Sequence, residues 1–289
     1  MLIRQKILLS ILRQVGRPVG KLDLVKLAFL LRQEYKVELG DTFYEFLPYR
    51  FGPFSFTLYH ELDNLIREGV VEVSADSECV LTLNKGTDAA CLDVSTERRI
   101  REFLRRYGQM DTSMLMDIVY SGYKWFTLKS DFVEKRALKE SVPEPAIYTA
   151  GYEGLHVDAF FNLLLRWGIK RLIDVRANPI SRRYGFHKKT FSGISNKLGI
   201  EYLHYPAVGV PSTWRTELTG IASYDRLFER YQREIISAQV ELIKEIALKM
   251  EEAVSVLVCQ EAEPIFCHRS PLARAIALVS PLKPCDIRR

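Results

Sequence analysis

The stretch VLVCQEAEPIFCHRSPLARAIA, residues Val256–Ala277, decides the fold of the C-terminal half of the chain. It begins as an apolar run that is typical of a buried strand and ends with apolar residues at helical spacing. Two cysteines, a histidine and two arginines surround the junction between strand and helix. Ligands of open α/β sheets bind at the carboxyl ends of strands, so this junction is a candidate site.

The rest of the C-terminal half also alternates strands and helices. Strands are predicted in AIYTAGYEG, KRLIDVR, IEYLHYP and AVSVLVCQE, and helices over 156–167, 187–199, 222–251 and 270–279. This order predicts an α/β domain over residues 146–289, with a mostly parallel sheet and helices on both faces.

Residues 1–140 predict a mainly helical domain. Helices are expected over 3–15 and 20–36 and from a cap at Ser55 through Arg67, then a hairpin from 70–74 and 79–83, and more helix over 94–140. Three helices followed by a two-stranded wing is the order of a winged helix-turn-helix. The proline-containing residues 141–145 predict a linker.

Composition limits the classes of protein to which the chain belongs. No apolar run approaches the length of a membrane span, and the start reads as an amphipathic helix, so we expect a cytoplasmic protein with no membrane segment. The five scattered cysteines favour reduced thiols. Residues 1–140 carry 21 basic and 20 acidic groups, and 141–289 carry 20 and 16, a balance that permits an anionic partner without requiring one.

Polar residues follow three of the predicted strands, the last of which ends in Cys259, Gln260 and Glu261. Gly151, Tyr152 and Glu153 follow the first strand, and Asp174 and Arg176 end the second. Successive strand residues point to opposite faces, so Asp174 and Arg176 share one. We expect both to face a cleft beside Glu153, with Asp174 or Glu153 as general base, and Gly151 to let the backbone approach a ligand. The alternative is an internal ion pair that pins the sheet.

The loop NPISRRYGFHKK, residues 178–189, places basic groups among aromatic rings. Arg182 and Phe186 are candidate ligand-binding residues because this mixture suits phosphates and stacked bases. The alternative is a solvated basic loop.

The turn after the last buried strand could serve either as the site of a reactive thiolate or as an anion-binding site. Cys267 is expected near a helix N-terminus, where the helix dipole and Arg269 favour a thiolate or bind an anion. Ser270 and Pro271 are expected to cap and start that helix. The phosphatase pattern needs arginine six residues after cysteine, and position 273 is alanine.

A metal site is the third possible interpretation of the same turn. Cys259, Cys267 and His268 are weak metal-ligand candidates, with Glu261 beside them, but their spacing fits no common zinc pattern. The sequence therefore predicts no metal and identifies no cofactor.

Five motifs in order resemble the bacterial and archaeal family called domain of unknown function 488. They are TAGYEG, FFNLLLRWGIKRLIDVRANPISRRYGFHKKTF, LGIEYLHYPAVG, LVCQEAEPIF and CHRSPLA, within roughly 146–279. The resemblance implies a fold and a site rather than a reaction. The family's recurrent polar positions fall on Gly151, Tyr152, Glu153, Asp174, Arg176, Pro179, Arg182, Phe186, Cys259, Glu261, Cys267, His268 and Arg269. The family usually adds one more strand, which the short ending SPLKPCDIRR puts in question.

The N-terminal half is similar to the Panacea (SocA-like) antitoxin domains. The matching stretches are KLAFLLRQEY, YEFLPYRFGPFSFTLYHELDNLIREGVV and IVYSGYKWF. The resemblance implies a DNA- or partner-binding role in a defence or toxin–antitoxin setting, and it carries no catalytic residues.

These observations together predict a nucleic-acid- or nucleotide-associated protein. Its C-terminal domain is expected to hold a phosphate or nucleotide. If it is an enzyme, hydrolysis or group transfer at a nucleotide is expected, with Glu153, Asp174, Cys267 and His268 as catalytic candidates. The ligand-binding candidates are Gly151, Tyr152, Arg176, Arg182, Phe186, Glu261 and Arg269. The alternatives are a non-catalytic ligand-sensing regulator and a cysteine-dependent enzyme that uses Cys267.

Overall fold

The chain forms two compact units, Met1–Leu138 and Lys139–Arg289. The computed structural model describes residues 1–35, 43–74, 80–84, 92–132, 143–215 and 218–288. Residues 141 and 142 of the predicted linker lie outside these ranges, as do Cys79 and Cys91. Among the described residues, no helix is long and apolar enough to cross a membrane.

The described part of the N-terminal unit contains six helices and five short strands. They are α1 (Ile3–Gln14), β1 (Val19–Gly20), α2 (Lys21–Glu34), β2 (Leu47–Tyr49), β3 (Gly52–Phe54), α3 (Phe56–Arg67), β4 (Val71–Val73), β5 (Val80–Leu83), α4 (Val94–Tyr107), α5 (Thr112–Gly122) and α6 (Lys124–Thr127). Within the described residues, the predicted helices near 3–15, 20–36 and 56–67 and the hairpin are confirmed to within a few residues. The helical stretch predicted over 94–140 is three helices that end at Thr127, and its residues 133–140 lie outside the described ranges.

Three helices of this unit, α3, α4 and α5, begin at a side-chain cap. The Ser55 hydroxyl accepts the backbone N–H of Leu58 at 3.2 Å, as the predicted cap of α3 requires. Asp93 and Asp111 cap α4 and α5 in the same way. Apolar side chains of α1 to α5 then share one core.

The described residues of the N-terminal unit also form two antiparallel sheets. β4 and β5 form the predicted hairpin, and β1 adds a third strand beside β5. Residues 47–54, an aromatic, turn-rich segment before α3, form a separate hairpin from β2 and β3. The sheet after α3 is compatible with a wing, and the winged-helix assignment stays a prediction.

The C-terminal unit alternates strands and helices as the sequence predicts. Its elements are β6 (Ile147–Gly151), α7 (Val157–Arg166), β7 (Arg171–Asp174), α8 (Lys188–Lys197), β8 (Glu201–His204), α9 (Ile221–Tyr231), α10 (Val240–Glu252), β9 (Ser255–Cys259), α11 (Arg269–Ala277) and β10 (Pro284–Asp286). Short 3-10 turns cover Pro206–Val208, Ser212–Trp214 and Pro264–Phe266, and a π-helical turn covers Gln232–Ile236.

The five strands form one parallel sheet in the order β10-β6-β9-β7-β8. The parallel sheet that the sequence predicts is confirmed. The short C-terminal ending does form a last strand, because Pro284–Asp286 pairs with Ile147–Thr149. β9 lies between β6 and β7, so the three strand ends that carry the candidate residues are neighbours.

Helices cover both faces of the sheet because alternate strand residues point in opposite directions. Ile173, Val175, Leu257 and Cys259 share a core with α9, α10 and α11. On the other face, rings from α7 and α8 pack around Tyr152. β7 and β9 are adjacent in the sheet. After β7 the chain moves to β8 on one side, and after β9 it moves to β10 on the other side, so the connections from these two strands run in opposite directions. Ligands of open α/β sheets bind at such a switch point.

Candidate functional site

Asp174 and Arg176 form a buried ion pair at the carboxyl end of β7. Nε of Arg176 donates a hydrogen bond to Oδ1 of Asp174 at 2.8 Å, and Nη2 of Arg176 donates one to Oδ2 at 2.5 Å. The Tyr202 hydroxyl from β8 donates to the same Oδ2 at 2.7 Å. The Asp174 side chain has no exposed surface and that of Arg176 is 6% exposed. The two residues share a face as predicted, but that face is covered by protein.

Tyr152 and Phe186 enclose the same ion pair. Their rings stack with centroids 4.1 Å apart, and the ring of Phe186 is buried. Nη1 of Arg176 donates to the Tyr152 hydroxyl at 2.9 Å and to the backbone carbonyl of Phe186 at 2.8 Å. Both rings therefore pack the interior, and neither presents an open face to a ligand.

The glycine after β6 allows close contact with another loop of the protein. A methyl group added at Gly151 would lie 1.8 Å from the carbonyl oxygen of Glu261. Nη1 of Arg269 donates to that same carbonyl, and Nη2 donates to the carbonyl of Ala262 at 2.9 Å and to Asp286 at 3.3 Å. Arg269 has no exposed surface, so its guanidinium holds the loop between β9 and α11 in place.

Two cysteines, a histidine and a glutamate converge on the opposite face of the sheet from Asp174. The ligand atoms of Cys259, Cys267 and His268 all lie within 4.8 Å of one another, and all three residues are buried. Oε2 of Glu261 lies 3.1 Å from Sγ of Cys259 and 3.0 Å from Sγ of Cys267. The loop after β9 folds back as a metal site requires, which the one-dimensional spacing did not indicate.

The orientation of His268 is fixed by the neighbouring strand. Its Nε2 lies 3.0 Å from the carbonyl oxygen of Val175, at the end of β7. A carbonyl oxygen only accepts, so Nε2 carries a proton and Nδ1 faces the cluster. Nδ1 lies 3.7 Å from Sγ of Cys259 and 3.4 Å from Nη2 of Arg215.

Burial and mutual charge shift the pKa of each group in this cluster. Burial alone raises the pKa of Cys259, but the hydrogen bond with Cys267 and the charge of His268 outweigh it and hold the pKa below its usual value. Burial and the Cys259 sulfur raise the pKa of Cys267. Burial lowers the pKa of His268, yet the negative charge at Cys259 produces a net rise. Burial, with that charge, also raises the pKa of Glu261.

A cavity of about 230 Å³ opens beside the cluster. Its polar wall is formed by Arg215, Glu261 and His268, and Nη1 of Arg215 donates to Oε1 of Glu261 at 2.5 Å. Its apolar wall is formed by Val210, Leu218, Tyr224, Leu227, Phe228 and Phe266. The cavity therefore joins a charged corner to an aromatic and aliphatic surface.

The start of α11 differs from the predicted anion cradle. The helix begins at Arg269, with His268 as its N-cap residue, and Cys267 lies directly before it. The Ser270 hydroxyl donates to the carbonyl of Pro264 at 2.6 Å and does not cap the helix. The Ser270 backbone N–H donates to the Cys267 carbonyl at 3.1 Å, so this N–H is already used.

The remaining candidates lie away from the cavity. Oε2 of Glu153 accepts the backbone N–H of Ala262 at 3.0 Å, and Glu153 is exposed. Arg182 is exposed and makes no hydrogen bond or ion pair with the described residues. Sequence reasoning did not identify Arg215 or Tyr202, because no local pattern shows which distant residues they contact; only the fold brings them to the site.

Comparison with known proteins supports the C-terminal resemblance. No curated protein and no solved structure matches the chain. The match to a family model begins after Gly151, Tyr152 and Glu153 and does not reach the N-terminal unit, so the Panacea resemblance stays a prediction. Residues 156–276, which carry the Asp174–Arg176 pair and the whole Cys259, Glu261, Cys267 and His268 cluster, match the family described as Domain of unknown function DUF488.

Proposed function

We propose that the C-terminal unit binds a nucleotide in the cavity beside Arg215, Glu261 and His268. The observation that carries this proposal is the composition of the cavity wall, which joins an arginine to the rings of Tyr224 and Phe228. Arginine guanidinium groups suit phosphate oxygens, and aromatic rings suit the faces of bases. The cavity also lies beside the switch point of the sheet.

The size of the cavity limits how much of the ligand it encloses. At about 230 Å³ it is below the roughly 300–1,000 Å³ of pockets for drug-sized ligands. It therefore accommodates the base of a nucleotide, while the phosphate lies at the Arg215 end. The Arg215 side chain is 33% exposed, which leaves part of its guanidinium accessible.

We also propose that the C-terminal unit hydrolyses the bound nucleotide. Of the four predicted catalytic residues, His268 lines the cavity. The buried ion pair encloses Asp174, and Glu153 binds the loop backbone. Cys267 has no exposed surface and a raised pKa, which disfavours the cysteine-dependent alternative.

The test is a calorimetric titration of the full chain with nucleoside mono- and triphosphates, with chromatography of the products. Arg215→Ala removes a charge-assisted hydrogen bond and should weaken binding by about 1.5–3 kcal/mol, roughly ten- to hundredfold. Arg226→Ala is the matched control, because Arg226 is an exposed arginine of α9 outside the cavity wall. Equal affinity in both variants overturns the nucleotide site. Binding without products identifies the ligand-sensing regulator instead.

For the N-terminal unit we propose DNA or partner binding. The support is its order of elements, in which β1 lies between α1 and α2 and the β4–β5 hairpin follows α3. The exposed rings of Phe51 and Phe132, whose centroids lie 5.6 Å apart, add an aromatic surface. Such a role fits a defence or toxin–antitoxin setting.

A further inference from the structure

We propose that Cys259, Cys267, His268 and Glu261 bind one zinc ion. This site does not depend on the nucleotide proposal. It rests on the convergence of four ligand-type side chains at the carboxyl end of β9, three of them with ligand atoms within 4.8 Å of one another. Glu261 contacts both sulfurs through the same carboxylate oxygen.

The spacing of the ligand atoms suits a tetrahedral ion. Zinc binds sulfur at about 2.3 Å and nitrogen or oxygen at about 2.0–2.2 Å, so neighbouring ligands lie roughly 3.3–3.8 Å apart. The Cys259 Sγ to His268 Nδ1 distance is 3.7 Å. The contacts of Glu261 Oε2 to the two sulfurs, at 3.1 and 3.0 Å, need only a small opening.

The surroundings hold the ligands in a metal-binding orientation. Metal-binding histidines commonly donate their second ring N–H to a carbonyl or carboxylate, which fixes the ring. His268 donates from Nε2 to Val175 in this way and directs Nδ1 to the cluster. Arg269 holds the carbonyl of Glu261, so the loop that carries three of the four ligands is anchored from behind.

Charge balance favours a divalent ion in this buried position. Two thiolates and a carboxylate would carry three negative charges with little exposure to water. Arg215 supplies one positive charge through its ion pair with Glu261. A zinc ion supplies the other two. Thiolate and imidazole ligands select zinc over magnesium or calcium, which prefer oxygen.

The cavity provides the path by which the ion enters. Glu261 and His268 both line its wall, whereas the two sulfurs lie behind them. Glu261 is the ligand on this open side, so it is the ligand that an incoming molecule would displace.

The first test uses the wild-type full chain, reduced, stripped with a chelator and titrated with Co²⁺ alone. We expect about one ion per chain, a sulfur-to-cobalt charge-transfer band and tetrahedral d–d absorption, all displaced by Zn²⁺. Zinc should also raise the melting temperature of the stripped protein. Absence of the sulfur-to-cobalt band overturns the proposal whatever the variants do.

The second test compares cysteine variants. Cys259→Ser and Cys267→Ser should lose zinc affinity by at least about 100-fold, since loss of outer partners alone costs roughly 10–100-fold. Cys285→Ser is the matched control, because Cys285 is a free cysteine on β10 outside the cluster, and it should bind zinc as the wild type does. Circular dichroism confirms that each variant is folded. Equal zinc affinity in folded Cys267→Ser and Cys285→Ser also overturns the site.

Discussion

Asp174 is the last residue of β7, and Arg176 follows it two residues later; inside the protein their side chains form an ion pair with two hydrogen bonds, whose N–O distances are 2.8 and 2.5 Å. Tyr202 donates a third side-chain hydrogen bond to the carboxylate at 2.7 Å, and the Arg176 backbone N–H donates at 3.1 Å. An ion pair in this position connects β7 to β8 and to the loop that carries Phe186.

This burial sets the expected effect of Asp174→Asn. The sequence alone predicts a loss of ligand binding with little change in stability. The structure predicts a loss of about 3–5 kcal/mol in the free energy of unfolding, because a buried Arg176 loses its partner. Urea denaturation measures it. A variant of unchanged stability with weakened ligand binding would restore the functional reading.

Gly151→Ala should displace the loop that carries Glu261. The added methyl group would overlap the Glu261 carbonyl, and overpacking of this kind costs about 1–3 kcal/mol. Gly193→Ala is the control, since Gly193 lies within α8 and a methyl group there meets no atom within 4 Å. Thermal melts of both variants, with zinc binding, measure the difference. Similar melting temperatures for the two would show that the loop yields freely.

Lys26 gives the N-terminal unit a pH-dependent stability. Its Nζ is buried against the backbone carbonyls of Phe51 and Pro53, and burial lowers its pKa to about 7. The unfolded chain, with a lysine pKa near 10.4, therefore holds a proton between about pH 7 and 10 that the folded protein has lost.

The free energy of unfolding should consequently rise with pH across that window, and Lys26 contributes up to about 1.4 kcal/mol per pH unit to the rise. Below pH 7 the Lys26 contribution should not change with pH. Lys26→Met removes the contribution. Urea denaturation of both proteins at several pH values gives the slope of unfolding free energy against pH for each. Other titrating groups add equally to the two slopes, so the difference between them reports Lys26. Parallel slopes would show that Lys26 keeps its proton in the folded state.

DNA binding by the full chain should be weak and only shallowly dependent on salt. The N-terminal residues are nearly balanced in charge, so docking through the aromatic segment around Phe51 is expected to outweigh phosphate attraction. Gel shifts across a series of salt concentrations measure the slope. Tight binding with a slope that corresponds to six or more phosphates would show that charge dominates.

Local sequence was sufficient for most elements of the fold. The Ser55 cap predicted the start of α3, and the apolar run before Cys259 predicted β9, because these signals act over a few residues. The cap that the sequence predicts for α11, Ser270, lies two residues after the observed N-cap residue His268, since Ser270 bonds to a carbonyl in the preceding turn and not to its own helix.

The amino-acid sequence by itself determined the mostly parallel sheet, through its alternation of strands and helices, and the common face of Asp174 and Arg176, because strand alternation fixes which side each residue faces. The order of the strands, which makes the three strand ends neighbours, came from the tertiary structure. Only the tertiary structure decided what covers each face. Rings from α7 and α8 close over the ion pair, while the loop after β9 folds back and brings Glu261 between Cys259 and Cys267. Such contacts depend on how distant segments pack, and no spacing along the chain encodes them.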